Sequence, residues 1–256
     1  MNRFFIKSEY IDNDVVEIDG EDFNHISNSL RLQTGDKIVI SPGDGYDYMV
    51  ELVEFNSDTV FGKIIDKEEN ITEPKINIDL AQAIPKNRNI EFVIQKGTEI
   101  GVNKIIPIET KRTIVKLSGS KEKRRIKRWQ KISEEAAKQS QRGKIPQINS
   151  LVDINNRNKT EELFSGYDLI FVLYAGNASN NIKKSVKKYE GINLKDILVL
   201  IGPEGGFAEE EIDLFNEVDK EKNIEIITLG NRILRTETAG LVALTSLLYE
   251  FGDLGG

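Results

Sequence analysis

The chain of 256 residues has no cysteine and one histidine, His25. Without thiols it can form no disulfide, no cysteine-ligated zinc or iron–sulfur site and no thiol nucleophile. A single histidine excludes a multi-histidine metal centre and a two-histidine mechanism. No uninterrupted apolar run approaches the ~18 residues that a membrane span needs. The N-terminal stretch MNRFFIKSEY carries charge where a secretory leader has its apolar segment. The sequence therefore predicts a cytoplasmic protein with no membrane segment and no metal site. The NTP-binding pattern G-x-x-x-x-G-K-S/T and the dinucleotide pattern G-x-G-x-x-G are also missing, which disfavours an NTPase or a dehydrogenase.

What is present points elsewhere. Apolar residues make up 39% of the chain and charged residues 30%, enough for a buried core under a polar surface. The length fits one large or two modest domains, at ~100–200 residues per domain. The net charge of −7 conceals a split. Residues 1–72 carry 6 basic against 16 acidic side chains, whereas residues 82–145 carry 17 basic against 6 acidic. A basic block in an acidic chain is a candidate nucleic-acid footprint, because phosphate contacts supply much of such affinity. A solvated helix face is the plainer alternative.

The first 70 or so residues read as β-rich. Strands are expected at 15–18, 37–40, 48–55 and 59–65, separated by turn residues such as Asp19-Gly20 and Ser41-Pro42-Gly43-Asp44-Gly45. A helix over 22–30 fits between the first two. Closely spaced short strands suggest a small barrel. The acidic run Asp66–Asn70 and Pro74 mark a boundary, giving expected domains of 1–72 and 73–256. Beyond it, apolar runs at 76–84, 104–108, 168–174, 197–201 and 225–229 have the character of buried parallel strands. Helical patterns alternate with them: 90–100, closed by Gly101, and a long basic helix over 121–142. Such alternation predicts an α/β domain with a mostly parallel sheet.

Two local signals stand out. The run Leu198–Phe207 takes a buried strand straight into Gly202-Pro203-Glu204-Gly205-Gly206, with a helix pattern following. Glycines at the carboxyl end of a strand let backbone approach a ligand, and ligands in open α/β sheets bind there. A tight turn that needs glycine only for its geometry is the alternative. The second signal, Thr228-Leu229-Gly230-Asn231-Arg232-Ile233-Leu234-Arg235-Thr236-Glu237-Thr238-Ala239, again joins a strand, a glycine loop and a helix. Thr236 or Thr238 is its expected N-cap.

These runs, in this order, resemble the ribosomal RNA small subunit methyltransferase E family of the SPOUT superfamily. Other segments are similar too: Gln95–Val102 ahead of Ile106-Pro107, Arg128-Trp129, Ala136–Ser140, and in the first domain Arg3-Phe4-Phe5, His25, Leu30-Arg31-Leu32 and Gly35-Asp36. The resemblance covers essentially the whole chain. One departure is Gln141, where the family usually has glycine before Arg142. The resemblance implies a SPOUT-type α/β domain with a deep trefoil knot, preceded by a PUA-like barrel. It implies methylation of uracil N3 in 16S ribosomal RNA of the small ribosomal subunit, with S-adenosyl-L-methionine (SAM) as cofactor, by a homodimer.

Carried over by position, the resemblance places SAM among three loops. They contain Leu173 and Tyr174; Ile201, Gly202, Pro203 and Gly205; and Leu229, Gly230, Ile233, Leu234 and Thr238. Close approach of the cofactor would explain the glycines at 202, 205, 206 and 230. A guanidinium suits the anion formed when uracil N3 loses its proton. Arg235 is the candidate, with Arg142 as a second. Glu204 or Glu237 orients the base or serves as general base, with a structural ion pair as the alternative for Glu237. His25 lies far in sequence from these motifs and reads as a buried or RNA-contacting residue. Expected phosphate contacts are Arg31, Lys86, Arg88, Lys96, Lys111, Arg112, Lys116, Lys121, Arg124, Arg125 and Arg128. Two other functions stay open: a SPOUT enzyme acting on a ribose 2′-hydroxyl, and a non-catalytic ribosome-assembly factor.

Overall fold

A computed structural model of the chain describes residues 1–86, 89–174, 180–218 and 223–254. It falls into two compact units: Met1–Glu73 with Ala137–Ile145, and Pro74–Ala136 with Pro146–Gly256. Residues 137–145 thus belong with the first unit, where a single cut after residue 72 would put them in the second. Side-chain pairing explains this. Arg142, 2% exposed, sends Nη2 to Glu73 Oε2 at 2.6 Å and Nε to Oε1 at 3.1 Å. The amides of Gly143 and Lys144 donate to the same carboxylate, and Lys138 pairs with Asp22 at 3.5 Å.

In the first unit, strands β1 (Arg3–Phe4), β2 (Ile11–Asp12), β3 (Val15–Ile18), β4 (Lys37–Ile40), β5 (Tyr46–Phe55) and β6 (Val60–Glu69) make one sheet in the order β1-β4-β5-β6-β3-β2. Period-two alternation turns Val16 and Ile18, Ile38 and Ile40, and Val50 and Leu52 inward onto Phe4, Ile26 and Val60. The helix expected over 22–30 is an α-helical turn, α1 (Gly20–Asn24), continuing into a π-type turn over His25–Leu30, which Arg31 closes at φ 54°. His25 packs edge-on against Phe4, with ring centroids 5.9 Å apart.

The second unit is α/β. Its strands are β7 (Asn77–Ala83), β8 (Lys104–Glu109), β9 (Gln147–Ile148), β10 (Val152–Asp153), β11 (Leu169–Leu173), β12 (Asn180–Asn181), β13 (Asp196–Ile201) and β14 (Ile224–Thr228). The sheet order is β10-β8-β7-β13-β11-β14-β12, with β9 also beside β8, and every pair is parallel. Helices α2 (Asn89–Ile100), α3 (Gly119–Gln139), α4 (Arg157–Phe164), α5 (Ile182–Lys187), α6 (Glu209–Val218) and α7 (Thr236–Glu250) cover both faces. Strand residues of one parity meet α2, α5, α7 and Trp129 of α3; those of the other meet Phe164 of α4 and Phe215 of α6. Burial on both faces is why these strands are continuous apolar runs.

Two helix ends show how the local sequence sets boundaries. Gly101 closes α2 at φ 122°, its own amide and that of Val102 both reaching the Gly97 carbonyl. Helix α3 stops at Gln139 and does not run to Arg142. Gln141 stands at φ 61°, its amide donating to Lys138 O at 3.4 Å, and the Arg142 amide donates to Ala137 O at 3.0 Å. This pair of bonds is a Schellman motif, whose left-handed position normally holds glycine. The departure at Gln141 leaves the turn intact, with a glutamine in a backbone conformation that glycine adopts more readily.

Candidate active site

Strand β11 lies between β13 and β14, so the carboxyl ends of these three strands lie side by side at one edge. A cavity of about 540 Å³ opens there. Leu173 and Tyr174 from the end of β11, Ile201 to Glu204 with Gly206 after β13, and Ile227 to Thr236 with Ala239 after β14 line it. This is the crevice outside the strand ends where open parallel sheets bind ligands. Its size is that of a small-molecule site, and its walls are largely aliphatic with exposed backbone.

Buried polar groups hold the two loops. Thr236, the first residue of α7, donates its hydroxyl to Gly202 O at 2.6 Å and accepts from Gln82 Nε2 at 2.9 Å. Gln82 is wholly buried at the end of β7, and its Oε1 has no hydrogen-bond partner among the described residues. That oxygen stands 2.8 Å from where a Cβ on Gly240 would be, so the α7 backbone presses against it. The carboxylate of Glu204 accepts the Lys86 amide at 2.8 Å, and that of Glu237 accepts from Asn89 Nδ2 at 3.0 Å. Arg232 and Arg235 both line the cavity, are exposed, and have no acidic partner among the described residues. The cavity therefore has aliphatic walls, exposed peptide groups and two available guanidinium groups at one side.

Residues 72–248 match the family model for an RNA methyltransferase domain, and residues 18–65 match that for an RNA methyltransferase PUA domain. The chain is 32% identical to ribosomal RNA small subunit methyltransferase E of Bacillus subtilis (strain 168), across all of this chain and 99% of that one. It belongs to the ribosomal RNA small subunit methyltransferase E family. The Mesomycoplasma hyopneumoniae (strain 232) member is 37% identical over 89% of this chain and 91% of its own. Among solved structures, the Neisseria gonorrhoeae member, bound to S-adenosyl methionine, superposes with a TM-score of 0.82 at 27% identity over 100% of both chains. A Legionella pneumophila structure that also holds SAM gives 0.79 at 30% identity over 96% of both. The N-terminal unit is accordingly a PUA-like domain, and the second unit a parallel-sheet α/β domain.

Family resemblance brought most of the expected cofactor residues to one place. Leu173, Tyr174, Ile201, Gly202, Pro203, Leu229, Gly230, Ile233 and Leu234 all line the cavity, as do Glu204 and Arg235. Gly205 and Thr238 do not. The glycines also have reasons other than a cofactor. A Cβ on Gly202 would stand 3.1 Å from the Phe207 amide nitrogen, and Gly206 and Gly230 sit at φ 67° and 105°. Gly205 faces the side chain of Arg112. Glu237 is outside the cavity wall and anchors Asn89. Arg142 is the larger correction: it is buried on Glu73 in the first unit, so its guanidinium is already neutralised. Signals at Gln82, Arg232 and Thr236 were missed in these roles, although Arg232 and Thr236 belong to the second motif.

The expected phosphate contacts divide in the same way. Lys121 and Arg124 are exposed on α3, Arg125 is half-buried there, and Arg31 is exposed in the first unit. Lys96 is held by Glu99 at 2.8 Å and Arg128 by Glu91 at 2.8 Å, while Lys111 and Lys116 pair with Glu210 and Glu109. Arg112 donates Nη1 to Gly205 O at 2.7 Å and to Phe207 O at 3.2 Å. Lys86 is exposed, with its amide on Glu204. Arg88 and the loop 175–179, one of the three expected around the cofactor, lie outside the described residues.

Proposed function

We propose that this protein transfers a methyl group from SAM to N3 of a uracil in 16S ribosomal RNA of the small subunit. The observation that carries the reading is the cavity at the carboxyl ends of β11, β13 and β14, in a chain of this family, lined by an Arg235 that has no acidic partner among the described residues. When bound, SAM supplies an electrophilic methyl group on a sulfonium. The aliphatic side chains of Leu173, Ile201, Ile227, Leu229 and Leu234, together with the exposed peptide groups of the two loops, suit an adenosyl ligand. Uracil N3 must lose its proton to become nucleophilic, and the charge spreads onto O2 and O4. Arg235, at the head of α7, presents its guanidinium to that charge. Glu204 holds the Lys86 amide and Glu237 the Asn89 side-chain amide.

The target base leaves its stack to reach the cavity, and the exposed cations of α3, with Lys86, hold the RNA backbone without reading sequence. Two further elements of the proposal rest on the family. The loops around the cavity form a deep trefoil knot. Two copies associate, and Val242 and Tyr249 on α7 with Phe92 on α2, all large apolar side chains left exposed, supply a surface for this.

The test is transfer of labelled methyl from SAM to 16S RNA in small subunits that lack the native modification, with SAM binding followed by calorimetry. Label in the RNA is expected. Neither binding nor label would favour a non-catalytic assembly factor.

A further inference from the structure

The glycine loop 202–207 is fixed at almost every residue. The Gly202 carbonyl is held by Thr236, the Glu204 carboxylate by the Lys86 amide, and the Gly206 amide by Pro203 O at 2.8 Å. At the head of α6, Glu211, 1% exposed, accepts the Ala208 amide at 2.7 Å and the Lys111 amide at 2.8 Å. The second of these bonds anchors the backbone immediately before Arg112. From that anchor Arg112 reaches the outer edge of the loop and donates one nitrogen to the carbonyls of Gly205 and Phe207. Its aliphatic stem lies flat on Gly205: Cδ and Cβ are 3.3 and 3.5 Å from where a Gly205 Cβ would stand. Gly205 is not among the glycines at positive φ, and it does not line the cavity. The nearest neighbour of a Cβ there is the Arg112 stem, which would have to give by a few tenths of an ångström at Cδ to admit one.

We infer that Arg112 is a positioning residue for the cofactor: it sets the shape of the 202–207 loop, with Gly205 letting its stem pack close against the backbone. This rests on the methyltransferase reading. A guanidinium can hold two carbonyls while its stem packs flat, which a compact ammonium does less well.

The experiment uses the full chain. Wild type, R112M, R112A, R112K, G205A and the R112A/G205A double variant are titrated with SAM by calorimetry. Thermal midpoints without SAM, and KM for small subunits, are measured alongside. R112M keeps the stem and loses the donors. For R112M and R112A the Kd for SAM is expected to rise about tenfold, the scale of one or two lost hydrogen bonds. R112K should restore part of the affinity. G205A should weaken SAM several-fold alone and add nothing to R112A, since both act through one contact. The midpoint without SAM and the KM for subunits should not move. Wild-type SAM affinity in R112M overturns the inference. So does a raised KM for subunits at unchanged SAM affinity, which would make Arg112 a phosphate contact. A midpoint that falls in step with affinity would reduce Arg112 to a fold-stabilising role and also overturn it. Wild type that binds no SAM overturns the methyltransferase reading itself.

Discussion

The Thr236 hydroxyl donates to the Gly202 carbonyl at 2.6 Å, joining the loop after β13 to the head of α7. The same oxygen accepts from buried Gln82. Thr236→Val keeps the shape and removes both bonds; the Gly202 carbonyl loses its hydroxyl donor, and the buried Gln82 amide keeps only its bond to Ala83 O, at 3.0 Å. A loss of about 2–3 kcal/mol is expected, together with weaker SAM binding, whereas Thr236→Ser should retain most of both. Urea denaturation and SAM titration of the two variants check this.

At the end of α3 the left-handed position belongs to Gln141, at φ 61°. A residue with a Cβ pays ~1–2 kcal/mol there. Gln141→Gly is therefore expected to stabilise the chain by about 1 kcal/mol, part of the strain relief being offset by glycine's greater unfolded-state entropy. That corresponds to a rise of ~2–4 °C in Tm for a chain of this size class. A fall in Tm would mean that the glutamine side chain contributes more than its backbone costs.

The Glu73–Arg142 pair predicts an acid-sensitive term. Burial pushes the Glu73 carboxyl up, and the Arg142 guanidinium with Lys144 more than reverses this, so its pKa lies below the usual carboxylate value. The unfolded chain therefore binds this proton more readily than the folded one. The stabilisation is present above the unfolded value, ~4.3, and is lost as pH falls through the lower folded value. In unfolding measurements across pH, wild type should exceed Glu73→Gln at neutral pH, and the gap should close below that range. A gap that stays constant with pH would contradict the assignment.

Arg235 is expected to act on the reacting base alone. Arg235→Ala should lower kcat by about 10²–10³-fold, as losing one preorganised donor to a developing anion does. Its Kd for SAM should stay near wild type. Arg235→Lys should recover little, because an ammonium lacks the planar fork. Single-turnover methylation at saturating SAM separates these outcomes. Near-wild-type turnover in Arg235→Ala would remove it from the mechanism.

Most of the second domain was legible because its strands are buried on both faces. Runs such as Leu198–Ile201 have no other economical reading, and Gly101 marked the end of α2. The cavity was legible because its loops are contiguous motifs. What escaped depends on side chains far apart in sequence. The pairing of Arg142 with Glu73 spans 69 residues, and it is what moves 137–145 into the first unit. The Gln82–Thr236 bond spans 154. Arg112 read as a phosphate contact because a lone exposed arginine in a basic block shows its charge in the sequence but not its partner. Gly205 read as a ligand-approach residue for the same reason: a glycine shows that room is needed, not what fills it.

The central claim is the identity of the methylated atom. Small subunits lacking their native methylation, incubated with the protein and SAM, would have their 16S RNA digested to nucleosides and analysed by mass spectrometry. 3-Methyluridine is the predicted product, formed about 10²–10³-fold more slowly in a parallel reaction with Arg235→Ala. A ribose-methylated nucleoside in its place would contradict uracil N3 as the acceptor and move Arg235 away from the base.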